Sequence, residues 1–154
     1  MIRKIVSGGQ TGADQGALDA ALESGIDHGG WIIRGRKTEA GPLPEKYMLE
    51  ELQSEIYAER TRRNVIDSDG TLIVVHGQLT GGTALTGEYA EQMGKPCLVM
   101  DLGSTSLQEA ALTIAQWLEN ENIAILNVAG PRASKNPAIH DAVRKLLKMI
   151  IKLS

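Results

Sequence analysis

Five apolar, β-branched runs alternate with helix-patterned segments in this chain: Ile2 to Val6, Gly30 to Ile33, Thr71 to Val75, Cys97 to Asp101 and Ile123 to Val128. Strands separated by helices cannot be joined as hairpins, so the alternation predicts an α/β fold built on a parallel sheet. In such a sheet the carboxyl ends of the strands share one edge, where ligand crevices form. Three glycine-containing loops fall at that edge: Ser7-Gly8-Gly9-Gln10-Thr11-Gly12-Ala13-Asp14, Thr80-Gly81-Gly82-Thr83 and Gly130-Pro131-Arg132-Ala133-Ser134-Lys135. Each leads into a helix whose first amides lack intrahelical partners, and glycine permits close backbone approach. Phosphate is the expected guest, with the first loop as its cradle.

The helices are readable from their spacing. Ala13, Ala17, Leu18, Ala21 and Leu22 form the apolar stripe of the first, which Gly25 ends, while Gln15, Asp19 and Glu23 face water. Asp14 falls at the buried edge of its first turn, facing the crevice or complementing the helix dipole. A helix over Tyr57 to Ile66 carries Glu59-Arg63 and Arg63-Asp67 at the spacing of exposed ion pairs, which leaves Arg62 and Arg63 to solvent. Thr83 to Met93 follows, then a helix opened by the Ser106/Glu109 capping box. Asn136 and Pro137 open the last, with Ile139, Val143, Leu146, Leu147 and Ile150 on its core face.

At 154 residues, one domain over 1–154 buries a core without disulfides or structural metal. Net charge of −3 argues against a nucleic-acid partner. No stretch is long enough to span a bilayer and no secretory leader is recognisable, so a cytoplasmic protein is expected. Cys97 opens an apolar strand and is expected to be buried and inert. Residues 34–54 are rich in Gly, Pro and charge and too long for an ordinary connection. Gly35 to Pro44 reads as a lid that brings Arg36 or Lys37 to a phosphate, or as a disordered excursion. No hydrolase elbow, P-loop, dinucleotide fingerprint or paired His/Cys ligands occur, so no protein-ligated metal is expected. His76 follows the third strand, and Glu88 is the carboxylate behind Gly81-Gly82.

Five blocks taken together carry a family resemblance: Ser-Gly-Gly-Gln-Thr-Gly-Ala-Asp from Ser7, His28-Gly29-Gly30-Trp31, Arg60-Thr61-Arg62-Arg63-Asn64-Val65 with Asp67-Ser68-Asp69, Leu79-Thr80-Gly81-Gly82-Thr83-Ala84, and Leu126 through Ser134. They resemble the putative molybdenum carrier proteins, a circularly permuted branch of the SLOG superfamily related to the lysine-decarboxylase-like proteins. The resemblance implies a Rossmann-like three-layer sandwich with a mostly parallel central sheet. It also implies a homo-oligomeric protein that binds molybdenum cofactor, a phosphorylated pterin, for storage or delivery to a recipient molybdoenzyme. Gly8, Gly9, Gln10, Thr11, Gly12 and Asp14 match the family's first signature loop, and Gly81, Gly82 and Thr83 the second. Asn64, Arg132 and Ser134 fall in matching blocks, where an arginine fork and a serine hydroxyl suit a phosphate. On this reading Gly9→Val fills the space that the phosphate needs.

The cytokinin-activating phosphoribohydrolases of the superfamily use Pro-Gly-Gly-x-Gly-Thr-x-x-Glu. This chain keeps paired glycines and Glu88, but lacks the proline, the third glycine and the threonine register. Two alternatives to a carrier stay open: a nucleoside-monophosphate phosphoribohydrolase with Glu88 as catalytic carboxylate, and a non-catalytic nucleotide-sensing module.

Overall fold

The computed structural model describes residues 1–79 and 81–153. In chain order the elements are β1 (Lys4–Val6), α1 (Ala13–Ser24), β2 (Asp27–Gly29), β3 (Trp31–Ile32), β4 (Lys37–Thr38), β5 (Gly41–Pro42), β6 (Glu50–Glu51), α2 (Tyr57–Ile66), β7 (Gly70–Val75), α3 (Gly81–Gln92), β8 (Cys97–Asp101), α4 (Leu107–Asn120), β9 (Ile125–Ala129) and α5 (Ile139–Leu153). Five of the strands form one sheet in the order β2-β1-β9-β7-β8, every pairing parallel. From β1 the chain crosses to β2 on one side, and from β7 to β8 on the other. Right-handed crossovers in opposite directions put their helices on opposite faces. Helices α1, α4 and α5 accordingly pack together on one face, while α2 and α3 pack together on the other. The result is the Rossmann-like three-layer sandwich.

Strand β7 shows how the sequence divides between the faces. Leu72 and Val74 enter the large apolar cluster under α1, α4 and α5, and the alternate Ile73 approaches Gly87 of α3. On α5 the stripe Ile139, Val143, Leu146, Leu147 and Ile150 is fully enclosed. Its neighbour α1 is built from alanines, so the two helices approach closely: a Cβ at Gly16 would lie 2.4 Å from the His140 carbonyl oxygen. Gly25, at φ 71°, closes α1 by donating to the carbonyls of Ala21 and Leu22. Ser106 caps α4 by accepting from the Glu109 amide at 3.2 Å. Asn136 Oδ1 accepts from the Ala138 amide, so it caps a turn just ahead of α5.

Three details depart from the sequence expectation. The second strand of the sheet is Asp27–Gly29 rather than Gly30 to Ile33. Gly30 sits at φ 125° against Ser7, where a Cβ would meet the Ser7 carbonyl oxygen at 2.1 Å, so the chain leaves the sheet there. Trp31–Ile32 then pairs with Glu50–Glu51. Cys97 is exposed rather than buried, because β8 is an edge strand. Leu22 is 40% exposed, at the rim of its stripe.

Residues 34–54 form an ordered strap rather than a disordered excursion. Leu43, Tyr47 and Leu49 pack with Leu18, Ile32 and Ile33 in a second small core. Tyr47 Oη donates to Asp19 Oδ1 at 2.6 Å, and Asp19 Oδ2 lies 2.8 Å from His140 Nε2, which ties the strap to α1 and α5. Among the described residues, no helix is long and apolar enough to cross a membrane.

Candidate functional site

Strands β1, β9 and β7 are the three central neighbours of the sheet, so the loops that follow them meet at its carboxyl edge. Between them lies a cavity of about 390 Å³. Gly8 and Gln10 of the first loop, Gly81 to Thr83 of the second, and Gly130 to Arg132 with Lys135 of the third all line it. Its walls are Tyr57, Ala58, Arg60, Thr61 and Asn64 of α2 and Leu85 and Thr86 of α3. Asn127 of β9 closes the floor, its side-chain amide donating to Thr71 Oγ1 at 3.2 Å.

The first loop is not an open cradle. Asp14 is buried, and its carboxylate accepts from the amides of Gln10, at 3.2 Å, and Gly8. The Thr11 amide donates to Gln10 Oε1 at 3.0 Å, Gly9 to Ser7 Oγ at 3.4 Å, and Ala13 to the Pro131 carbonyl at 3.1 Å. A carboxylate of the chain itself thus holds the place expected for a phosphate. Burial pushes the Asp14 carboxyl up to about 6, against the opposing pull of Arg60 and the two amides. Asp14 also lines the cavity, so it is the acid placed nearest a bound guest.

The cationic side of the cavity is better prepared for an anion. Arg60 lies over Gly8, where a Cβ would come within 2.6 Å of its guanidinium. Its Nη1 donates to the Gly8 carbonyl at 3.3 Å, and its guanidinium sits 5.3 Å from the Tyr57 ring centroid. Arg60 Nε is buried and has no hydrogen-bond partner among the described residues. A buried unmatched donor is costly, and a water, an ion or a ligand group is what ordinarily satisfies one. Sequence reasoning passed over Arg60. The signal was its spacing: Arg60, Thr61 and Asn64 share one face of α2, while Arg63, expected to pair with Glu59 and Asp67 in solvent, instead lies over the Trp31 ring, 4.1 Å from its centroid. Opposite it, Gly81 and Gly82 at the start of α3 have open space where a Cβ would sit, among the described residues.

Residues 5–151 match the circularly permutated YpsA SLOG family. The chain belongs to that family. Among solved structures it is similar to a putative molybdenum carrier protein from Syntrophus aciditrophicus SB, with 51% identity, a TM-score of 0.96, and coverage of 97% of this chain and 95% of that one. None of the curated proteins matches it.

In this SLOG family member the remaining motif residues divide between the cavity and its supports. Gly9, at φ 76°, faces away from the cavity: a Cβ there would meet Leu49, Ile32 and Leu43 of the strap core at 3.0 to 3.3 Å. Gly9→Val therefore disturbs the strap rather than filling an anion site. Gly12 lets the first and third loops touch, its Cβ position being 2.5 Å from the Pro131 carbonyl oxygen. Asn64 lines the cavity, yet its amide clamps both backbone groups of Trp31, accepting at 2.8 Å and donating at 3.1 Å. Thr11 and Ser134 lie outside the cavity and bind Glu39 of the strap. Arg36 Nη2 donates to the carbonyls of Leu43, Pro44 and Tyr47, and Lys37 pairs with Glu55, so neither faces the cavity. Glu88 is exposed on α3 and is not on the cavity wall. Thr80 lies outside the described residues.

Proposed function

We propose that this chain is a molybdenum carrier whose cargo is a phosphorylated, flat heterocycle, molybdenum cofactor, held for storage or delivery. The observation that carries this reading is a cavity lined on one side by Arg60, whose buried Nε has no partner among the described residues, and on the other by the glycine-opened start of α3. The first amides of α3 at Gly81 to Thr83, with Arg132 and Lys135, suit a terminal phosphate. Tyr57 and Leu85, on the two flanking helices, suit the faces of a planar ring. The name of the 51%-identical relative supports the same cargo.

Among the described residues no group of three or more His, Cys, Asp or Glu converges in a way that could hold a metal ion. The hydrolase alternative draws no comparable support, because Glu88 is away from the cavity. A homo-oligomer and a cytoplasmic location belong to the same proposal.

Native mass spectrometry of the protein with molybdenum cofactor, and separately with adenosine monophosphate, tests it. Retention of the pterin, and its loss by about tenfold or more in Arg60→Met, are expected. Indifference to that substitution, or selective nucleotide binding with release of adenine, overturns the carrier reading.

A further inference from the structure

Outside the cavity, hydrogen-bond donors from two loops far apart in sequence converge on one acid. Glu39 Oε2 accepts from the Ser134 amide at 3.0 Å and from Thr11 Oγ1, and Glu39 Oε1 accepts from Ser134 Oγ at 2.5 Å. Arg132 Nε lies 3.6 Å from Oε1. The Ala133 amide, donating to Thr11 Oγ1 at 3.2 Å, orients that hydroxyl. The hydroxyls of Ser134 and Thr11 hold the Glu39 carboxyl below the ordinary glutamate range, so it is an anion at neutral pH. Two hydroxyls, one amide and one guanidinium on a single anion are the donor set of an oxyanion site.

The acid that fills the site is carried on a tip that the fold does not need. Glu39 and Ala40 join β4 to β5, and both are exposed. The turn closes on itself, with Thr38 Oγ1 donating to the Gly41 carbonyl at 2.7 Å and accepting from Ala40. Among the described residues, nothing lies within 4 Å of a Cβ placed at Gly41. The strap is anchored elsewhere, by Leu43, Tyr47 and Leu49 in its own core and by Arg36 on three carbonyls. Apart from its carboxylate, Glu39 reaches the first loop through its amide, which donates to Gln10 Oε1 at 2.9 Å. Withdrawal of the tip therefore exposes the donors without unfolding the strap.

We propose that Thr11, Arg132 and Ser134 form a second anion site, for a tetrahedral oxyanion, and that Glu39 is its internal, displaceable occupant. Arg132 belongs both to this site and to the cavity wall. An anion that draws Arg132 into the cavity loosens Glu39, and an anion that replaces Glu39 frees the strap tip from the first and third loops. Thr11 and Ser134 lie outside the cavity, so the site does not depend on which cargo the cavity takes.

Calorimetric titration of the full chain with inorganic phosphate and, separately, with molybdate tests the proposal. Glu39→Ala is expected to bind the oxyanion about tenfold more tightly than the unaltered protein. Adding Ser134→Ala abolishes that gain, whereas adding Arg60→Met, which alters the cavity alone, leaves it intact. Glu39→Gln keeps the shape without the charge, gives a smaller gain of the same kind, and serves if the alanine variant misfolds. Preference for molybdate or for phosphate distinguishes a metal oxyanion from a phosphorylated ligand, and either supports the site. Equal affinity in the unaltered protein and both Glu39 variants overturns the proposal, as does a gain that survives Ser134→Ala.

Discussion

The first and second glycine loops of this protein look alike in sequence and behave oppositely in the fold. Both leave a central strand and enter a helix. In the first, Cβ atoms at Gly8 and Gly12 would come within 2.6 and 2.5 Å of other atoms, and several amides already serve Asp14, Gln10, Ser7 and Pro131. In the second, Gly81 and Gly82 have nothing within 4 Å of the Cβ position among the described residues. Glycine in the one admits the protein to itself, and in the other leaves room for a guest. A glycine-rich loop at a helix start is thus two different devices, separated by what occupies the space above it.

The sharpest way to break the comparison is Gly12→Ala. A methyl group 2.5 Å from a backbone carbonyl, at φ 82°, forces the first and third loops apart. A loss of about 3 kcal/mol or more is expected, a fall in Tm of roughly 10 °C. Thermal unfolding checks it, and an unchanged Tm means that the two loops are not in contact.

Asp14→Asn probes the internal anion of the same loop. Its carboxyl is raised from 3.8 to about 6, so the folded state holds a proton that the unfolded chain has lost. Stability from this group is full below about pH 4 and declines as the pH rises to about 6. Asparagine removes the buried charge while keeping an acceptor for the Gln10 amide. The variant is expected to be more stable than the parent by about 2 kcal/mol at pH 7.5 and no more stable at pH 3.5. Urea titrations at both pH values decide it.

Gly82→Val addresses the open loop. The side chain enters free space, so Tm stays within a few degrees, while affinity for a phosphorylated ligand falls about tenfold. A destabilised variant, or one with undiminished affinity, would erase the distinction between the loops. Lys37→Met is the small-effect control. Its partner Glu55 is exposed and neither residue faces the cavity, so neither Tm nor ligand affinity changes measurably.

Periodicity and punctuation made much of this architecture legible. The stripe on α5, the Gly25 stop and the Ser106 cap are local signals, and the structure has each where the sequence places it. Convergence of the three loops was also legible, since strand–helix alternation predicts a shared edge. What escaped depended on distance along the chain. Ser134 and Glu39 are 95 residues apart, and nothing local indicates that a strap glutamate would take the donors of the third loop. Gly30 looked like the start of a strand because its neighbours are apolar, and only its packing against Ser7 shows it to be an exit. Arg60 was hidden beside Thr61, Arg62 and Arg63, whose facing is settled by the helix.

The position of β9 has a consequence for how the molecule is made. It is the last strand of the sheet along the chain, yet it lies at the centre, between β1 and β7. A ribosome that has released only the first four sheet strands has made two separate pairs with nothing to join them, and cores at either side with exposed edges. Docking of Ile125–Ala129 closes both edges at once and, in the same step, carries Gly130 to Lys135 into place beside the other two loops. The fold and the cavity are therefore completed together, late in synthesis, and a truncated product that lacks the final strand has neither.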